Sequence, residues 1–437
     1  MKLVSTRGEA PPSDVRSALF RGLAPDGGLY QPDSLPRAGR ELAGGLRDAR
    51  WPETAAAVAR LLLSDEWEET ELESIVSEAL DFRVPLRRVG DRIHVLELFH
   101  GPTLAFKDVG ARFLARSMAS VRATSDEPAP TVLVATSGDT GSAVGDAFQR
   151  LTDVPVVILY PEGRISGRQE RHLVRLGDNV TAVSVNGTFD DCQRLVKGAF
   201  ADEELRERAR LTSANSINIG RLLPQIFYYF HALARLETGV RAGELLISVP
   251  SGNLGNLTAG LMAKRMGLEA DRFVGATNRN DALPRYLETG RAEPRPAVST
   301  PSSAMDVGDP SNLERLRHLY DDDLARIRED VTASSVGDDV TRRTISSVHD
   351  RHGYLLDPHT AVGWRALEDE LRARPKATGI LLSTAHPAKF PDVVAPLVDR
   401  EVPVPARWRE ALERDEGRRI GMEPDAGALR ELLARRG

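Results

Sequence analysis

One lysine in this chain has the setting of a nucleophile. In His100-Gly101-Pro102-Thr103-Leu104-Ala105-Phe106-Lys107-Asp108, Lys107 follows an apolar stretch and heads a helix-like segment carrying Val109, Phe113, Leu114 and Met118. A lysine held among apolar groups binds its proton less tightly, and the neutral amine can attack a carbonyl to form a Schiff base. Most lysines are solvated surface groups, so the assignment needs companions elsewhere in the chain.

Three polar loops supply them. Leu246-Ile247-Ser248-Val249 reads as a buried strand that runs into Pro250-Ser251-Gly252-Asn253-Leu254-Gly255-Asn256. A helix follows, with Leu257, Leu261 and Met262 on one face and Gly267 as its stop. Gly252 and Gly255 would let an anion approach the free N–H groups at that helix start, where the dipole adds ~0.3 to 1 kcal/mol. The loop is neither G-x-G-x-x-G nor a Walker A sequence, which counts against NAD and nucleoside triphosphates. An ordinary strand-to-helix turn would look the same.

A second strand-loop-helix unit carries Thr136, Ser137, Asp139 and Thr140, whose hydroxyls and backbone donors suit a carboxylate. The third runs from Ile380-Leu381-Leu382 into Ser383-Thr384-Ala385-His386-Pro387. In parallel α/β sheets ligands collect beyond the carboxyl ends of strands, where all three loops belong. The same Ser, Thr and Gly residues also serve as plain helix caps. A lysine together with a phosphate cradle is what pyridoxal phosphate requires, and that cofactor stabilises the carbanion left by removal of a Cα proton.

The elements that would position these groups change character along the chain. Residues 1–90 are rich in Gly, Pro and Arg, with a helix-like piece at 53–63 and a charged run at 66–78, and predict a helical N-terminal domain. From His94 onward short apolar runs alternate with polar turns and amphipathic helices, which predicts an α/β fold with a mainly parallel sheet. Candidate strands fall at 131–135, 154–160, 180–185, 244–249, 273–276 and 379–383, enough for two sheets. They divide the α/β part into a smaller domain, 91–215, carrying Lys107 and the Ser137 to Ser142 loop, and a larger one, 216–437. Residues 291–311, dense in Pro and Ser, predict a long loop, and 407–436 predict a charged surface helix with no site.

Six ordered segments, HGPTLAFKD (100–108), ATSGDTGS (135–142), SANSINI (213–219), VPSGNLGNLTAG (249–260), AMDV (304–307) and TAHPAKF (384–390), resemble the threonine synthase family, with Asp26-Gly27-Gly28-Leu29 similar to its opening motif. The resemblance implies the tryptophan synthase β-like fold: two parallel-sheet α/β domains with pyridoxal 5'-phosphate between them, and a helical N-terminal extension. It implies Lys107 as the Schiff-base lysine; Gly252, Asn253, Leu254, Gly255 and Asn256 as the loop for the cofactor phosphate; and Thr384 facing the pyridine nitrogen. Asp139 stands where many relatives of this fold carry Asn near the cofactor's phenolate oxygen, and two anions there would need a shared proton or a different orientation. The implied substrate is O-phospho-L-homoserine: Lys107 takes the Cα proton, phosphate leaves from Cγ, and water adds at Cβ to give L-threonine. Thr136, Ser137 and Thr140, with Arg164, Ser216, Asn218 and Arg221, are candidates for holding it. A related pyridoxal-phosphate phospholyase or a threonine/serine dehydratase would share the lysine, cradle and electron sink.

Other classes fit less well. A hydrolase could use Ser137 or Ser251 with a histidine, but neither serine lies in a G-x-S-x-G elbow. His349, His352 and His359 lack the carboxylate companions of a metal site, so no metal is expected. With 64 acidic and 58 basic residues mixed along 437, nucleic acid is not an expected partner. Cys192 is the only cysteine, the first twelve residues lack a leader's apolar core, and no stretch approaches the roughly 18 apolar residues of a membrane span. The expectation is a cytoplasmic monomer or homodimer.

Overall fold

The computed structural model describes residues 1–39, 42, 45–236 and 243–435. In chain order its strands are β1 (Leu3–Ser5), β2 (Tyr30–Pro32), β3 (Leu86–Arg88), β4 (Ile93–Glu97), β5 (Thr131–Ala135), β6 (Val156–Pro161) and β7 (Val180–Val185). There follow β8 (Leu211–Ser213), β9 (Leu245–Pro250), β10 (Arg272–Thr277), β11 (Val331–Ser335), β12 (Thr378–Ser383) and β13 (Arg418–Met422). One sheet has the order β11-β10-β9-β12-β4-β3, the other β13-β7-β6-β5-β8, and β1 pairs with β2 separately. Within the two large sheets every pairing is parallel except β3 with β4.

Parallel sheets carry helices on both faces, so their central strands must be apolar on both sides. Every residue of β6, β7, β9 and β12 is buried. The sequence announces these as short, largely apolar runs, β7 carrying Thr181 and Ser184 among its valines. β4 (Ile-His-Val-Leu-Glu) and β11 (Val-Thr-Ala-Ser-Ser) escape the apolar pattern, and β8 is only three residues long.

Sheet membership is not contiguous along the chain. β3 and β4 precede Lys107 yet join β12 in the six-stranded sheet. β13, near the end of the chain, returns to the edge of the five-stranded sheet by pairing with β7. The single C-terminal helix expected over 407–436 is therefore replaced by helix Ala406–Glu413, β13 and helix Ala426–Ala434. The open edge of β7 offers backbone partners to a segment too charged to read as a strand. Leu429 and Leu433 of the last helix are buried beside Cys192 and Leu195, so this end belongs to a core.

The N-terminal region is helical as expected, at Val15–Arg21, Trp51–Leu63 and Glu69–Ala79, with the β1–β2 pair added. Residues 291–310 are irregular apart from a short turn of 3-10 helix at Ser303–Met305. No helix among the described residues is long and apolar enough to cross a membrane.

Candidate active site

Five loops leave the carboxyl ends of β4, β5, β8, β9 and β12, drawn from both large sheets, and meet around a cavity of about 1000 Å³. Lys107 enters as the first residue of helix Lys107–Arg122. Its loop is tied to the one after β12: Phe106 N–H donates to Thr384 O at 2.9 Å, and His386 N–H donates to Leu104 O at 3.0 Å. Lys107 and Thr384, 277 residues apart in sequence, thus share one backbone bridge and both line the cavity. Leu104 sits at φ 57° and Leu254 at φ 60°, left-handed conformations that cost of order 1 to 3 kcal/mol for a side-chain-bearing residue. The Lys107 loop and the glycine-bearing loop each hold one.

The glycine-bearing loop is built to receive an anion. Helix Gly255–Arg265 starts directly behind it. Among the described residues, the N–H groups of Gly252, Asn253, Leu254, Gly255, Asn256 and Leu257 find no acceptor. Asn256 adds a side-chain donor. Its Oδ1 accepts from the Tyr228 and Tyr229 hydroxyls at 2.6 and 2.7 Å, while its buried Nδ2 has no partner among the described residues. Buried donors rarely stay unpaired, so this ring of N–H groups suits an oxyanion of high charge. Asn253 is held from outside: Nδ2 donates to Ser216 Oγ at 2.5 Å, and Oδ1 accepts from Ser311 N–H at 2.6 Å. Arg315, fully buried, donates to Tyr30 O, Ser216 O, Ile217 O and Asn312 Oδ1, joining the N-terminal region to the loop after β8.

In the loop after β5, Thr136 Oγ1 accepts from Gly138 and Gly141 N–H, which folds the turn at the head of helix Asp139–Phe148. The N–H groups of Ser137, Asp139 and Thr140 are left without acceptors among the described residues, and all three residues line the cavity.

Lys107 is largely buried, with 13% of its side chain exposed, and desolvation lowers its pKa to about 8; Asp139 opposes the shift, while Lys389 and Arg221 add to it. Asp139 Oδ2 lies 4.0 Å from Lys107 Nζ. Its Oδ1 accepts from Gln169 Nε2 at 2.8 Å and lies 2.5 Å from Lys389 Nζ. Burial would raise the Asp139 pKa, but Lys389 and Lys107 hold it well below the carboxylate range. The anion is therefore already neutralised by an internal cation, which no reading of the local sequence anticipates.

Of the remaining expected residues, Arg221 lines the cavity, buried, with Nη1 on Ala214 O and Nε without a partner among the described residues. Ser216 also lines it, largely as the anchor of Asn253. Two residues are not brought there. Asn218 caps helix Ile219–Leu222 and donates to Leu19 O and Ser213 O, and Arg164 sits exposed on the turn after β6. Sequence reasoning missed Lys389, Gln169 and the role of His359. His359 Nδ1 is 2.7 Å from Asp357 Oδ1, and its Nε2 accepts from Ala304 N–H. Both ring nitrogens are engaged, Ser251 Oγ is committed to Val249 O, and among the described residues no histidine is bonded to Ser137 or Ser251, so no serine hydrolase pair forms. Cys192 is buried, and burial pushes its thiol up to about 12, where it is inert.

A deprotonatable lysine between two parallel sheets, facing an anion loop at a helix start, defines the class of pyridoxal-phosphate enzymes. The comparisons agree. Residues 78–383 match the family described as pyridoxal-phosphate dependent enzyme, 2–80 the threonine synthase N terminus, and 360–433 the threonine synthase C-terminal family. The chain is 43% identical to the threonine synthase of Serratia marcescens over 93% of its length and 92% of that protein. It is 41% identical to that of Escherichia coli strain K12 over 99% of both. The crystal structure of Escherichia coli threonine synthase superposes with a TM-score of 0.92 at 40% identity over all of both chains. A pyridoxal-phosphate-bound threonine synthase from Brucella melitensis superposes at 0.91 and 39%, covering 100% of this chain and 99% of that one. The chain belongs to the threonine synthase family, its cofactor is pyridoxal phosphate and its activity is threonine synthesis. A diaminopropionate ammonia lyase at 15% identity and TM-score 0.61 shares the fold alone.

Proposed function

We propose that the chain makes L-threonine from O-phospho-L-homoserine and water, with Lys107 as both the attachment point of the cofactor and the proton carrier of the reaction. Pyridoxal phosphate supplies an aldehyde that condenses with amines and a ring that takes up the electron pair left at Cα. Gly252 to Leu257 N–H and Asn256 Nδ2 would hold its phosphate, and Thr384 would present a neutral hydroxyl to its ring nitrogen. The observation that carries this reading is the unmatched donor set of that loop across the cavity from an amine titrating at about 8.

Lys107 Nζ, once freed by the incoming amino acid, takes the proton from Cα and handles the one at Cβ; an amine near neutrality can do both. The N–H groups of Ser137, Asp139 and Thr140 receive the substrate carboxylate. Arg221, the buried guanidinium whose Nε has no partner among the described residues, receives the phosphate. Net, the Cγ–O bond to phosphate breaks and Cγ gains a proton, while Cβ gives up one proton and takes hydroxide from water, whose other proton leaves with the phosphate. The same reading takes the protein as a cytoplasmic monomer or homodimer.

The test is to feed O-phospho-L-homoserine to the purified holoenzyme and score phosphate and L-threonine. Equimolar release of both, abolished by Lys107→Ala, is expected. 2-Ketobutyrate as the main organic product would overturn the assignment in favour of a lyase or dehydratase.

A further inference from the structure

Two lysines in this site compete for one carboxylate. Asp139 Oδ1 lies 2.5 Å from Lys389 Nζ, whereas Oδ2 lies 4.0 Å from Lys107 Nζ. Lys389 is 1% exposed and also donates to Thr103 O at 2.9 Å, and Gln169 completes the shell of Oδ1. We propose that Lys389 is a positioning residue: its buried ammonium is the fixed counter-charge of Asp139, and it prevents that carboxylate from locking Lys107 as an ammonium. The inference rests on Lys107 being the cofactor amine.

The charge balance follows from distance and burial. Asp108 and Arg221 offset one another, so two ammoniums against the Asp139 carboxylate would leave a net positive charge in a buried space, and one lysine is driven to release its proton. Coulomb attraction grows as separation shrinks, and Lys389 is the one in contact. Lys107, farther from the anion, is the one that gives way. Every titratable neighbour bears on this, although His172 and His386, lowered by burial to about 3 and about 4, are neutral near pH 8. Lys107 faces Asp139, Lys389 and Arg221. Asp139 faces Lys389, Lys107 and His359. Lys389 also faces Asp108, His172 and His386. Asp108, raised by burial to about 6 and therefore also an anion near pH 8, is held by Thr103 N–H and Oγ1, whereas Lys389 makes its close ionic contact with Asp139.

The inference also accounts for an aspartate beside the position expected for the cofactor's phenolate. With Lys389 bound to it, Asp139 brings no uncompensated negative charge to the site, and no shared proton is needed.

The readout is the pH dependence of pyridoxal-phosphate capture by apoenzyme, followed by absorbance, because only the neutral amine reacts. In the wild type the rate should rise through a pH of about 8. Lys389→Met leaves Lys107 as the contact cation of Asp139, so the limb should move up by about one pH unit, with capture near pH 7.5 roughly tenfold slower. Lys389→Arg should keep the wild-type limb. Asp139→Asn combined with Lys389→Met, which removes both charges, should return the limb to the wild-type value or below.

A folded Lys389→Met protein whose limb does not move, or one slowed equally at every pH and not restored by Asp139→Asn, overturns the proposal. Should Lys389→Met not fold, the double variant and Asp139→Asn alone still decide, since an upward limb in either contradicts it. Failure of the underlying reading looks different: Lys107→Ala would then capture the cofactor as the wild type does.

Discussion

At pH 7 an ordinary lysine with a pKa near 10.5 is neutral in roughly one molecule in three thousand, whereas one titrating at about 8 is neutral in roughly one in ten. Burial provides that difference for Lys107, with Lys389 and Arg221 adding to it and Asp139 working against it. The sign is that lowering pH protonates the amine, so cofactor capture and proton abstraction both fall below about 8. A pH–rate profile of capture should show that limb; a limb above 10 would contradict the burial argument. The chemistry at this scale was readable where it is local, because Lys107, Gly252 to Asn256 and Thr384 each sit in a short polar punctuation between apolar runs. Lys389 was not, since its bond to Thr103 spans 286 residues and a lysine in a loop carries no mark of being buried. Arg164 and Asn218 misled for the opposite reason. They have the right chemistry near the right motifs, but one points to solvent and the other caps a helix.

At the scale of elements, the loops after the strands are held in shape by contacts no side-chain pattern reveals. A Cβ on Gly252 would stand 2.7 Å from the Cα of Met305, a backbone neighbour that cannot swing aside. Gly252→Ala should therefore push the loop off its position and weaken cofactor affinity by tenfold or more, measured by fluorescence titration of the apoenzyme, with little change in melting temperature. Arg315 gives the complementary case. Arg315→Leu leaves the acceptors of Tyr30, Ser216, Ile217 and Asn312 without their donor, at ~1 to 3 kcal/mol for each one that stays buried and dry. Removing a desolvated guanidinium, itself lowered to about 9 by burial, returns part of that cost. Urea denaturation should show a net loss of about 3 kcal/mol.

Across the whole molecule, the two sheets bring loops that are distant in sequence to one cavity, and the chain visits the sheets out of order. The apolar strands β6, β7, β9 and β12 made the α/β class legible, because strands buried on both faces leave no polar alternation. The return of β13 to β7 was illegible. Its Arg-Arg-Ile-Gly-Met sequence becomes a strand only because a neighbouring edge is free. The final helix is the lock on that arrangement: Leu433 is fully buried in the core with Cys192. Leu433→Ala should cost about 2 to 5 kcal/mol. A loss below 1 kcal/mol in urea denaturation would mean the C-terminal helix is not packed as described.

The central claim, that Lys107 carries the cofactor, is tested most directly by reducing the purified holoenzyme with borohydride, digesting it and mapping the pyridoxyl group by mass spectrometry. The label should lie on Lys107 and be absent from Lys107→Ala. Label on Lys389 or any other lysine, or a protein that cannot be loaded with cofactor at all, would contradict the account.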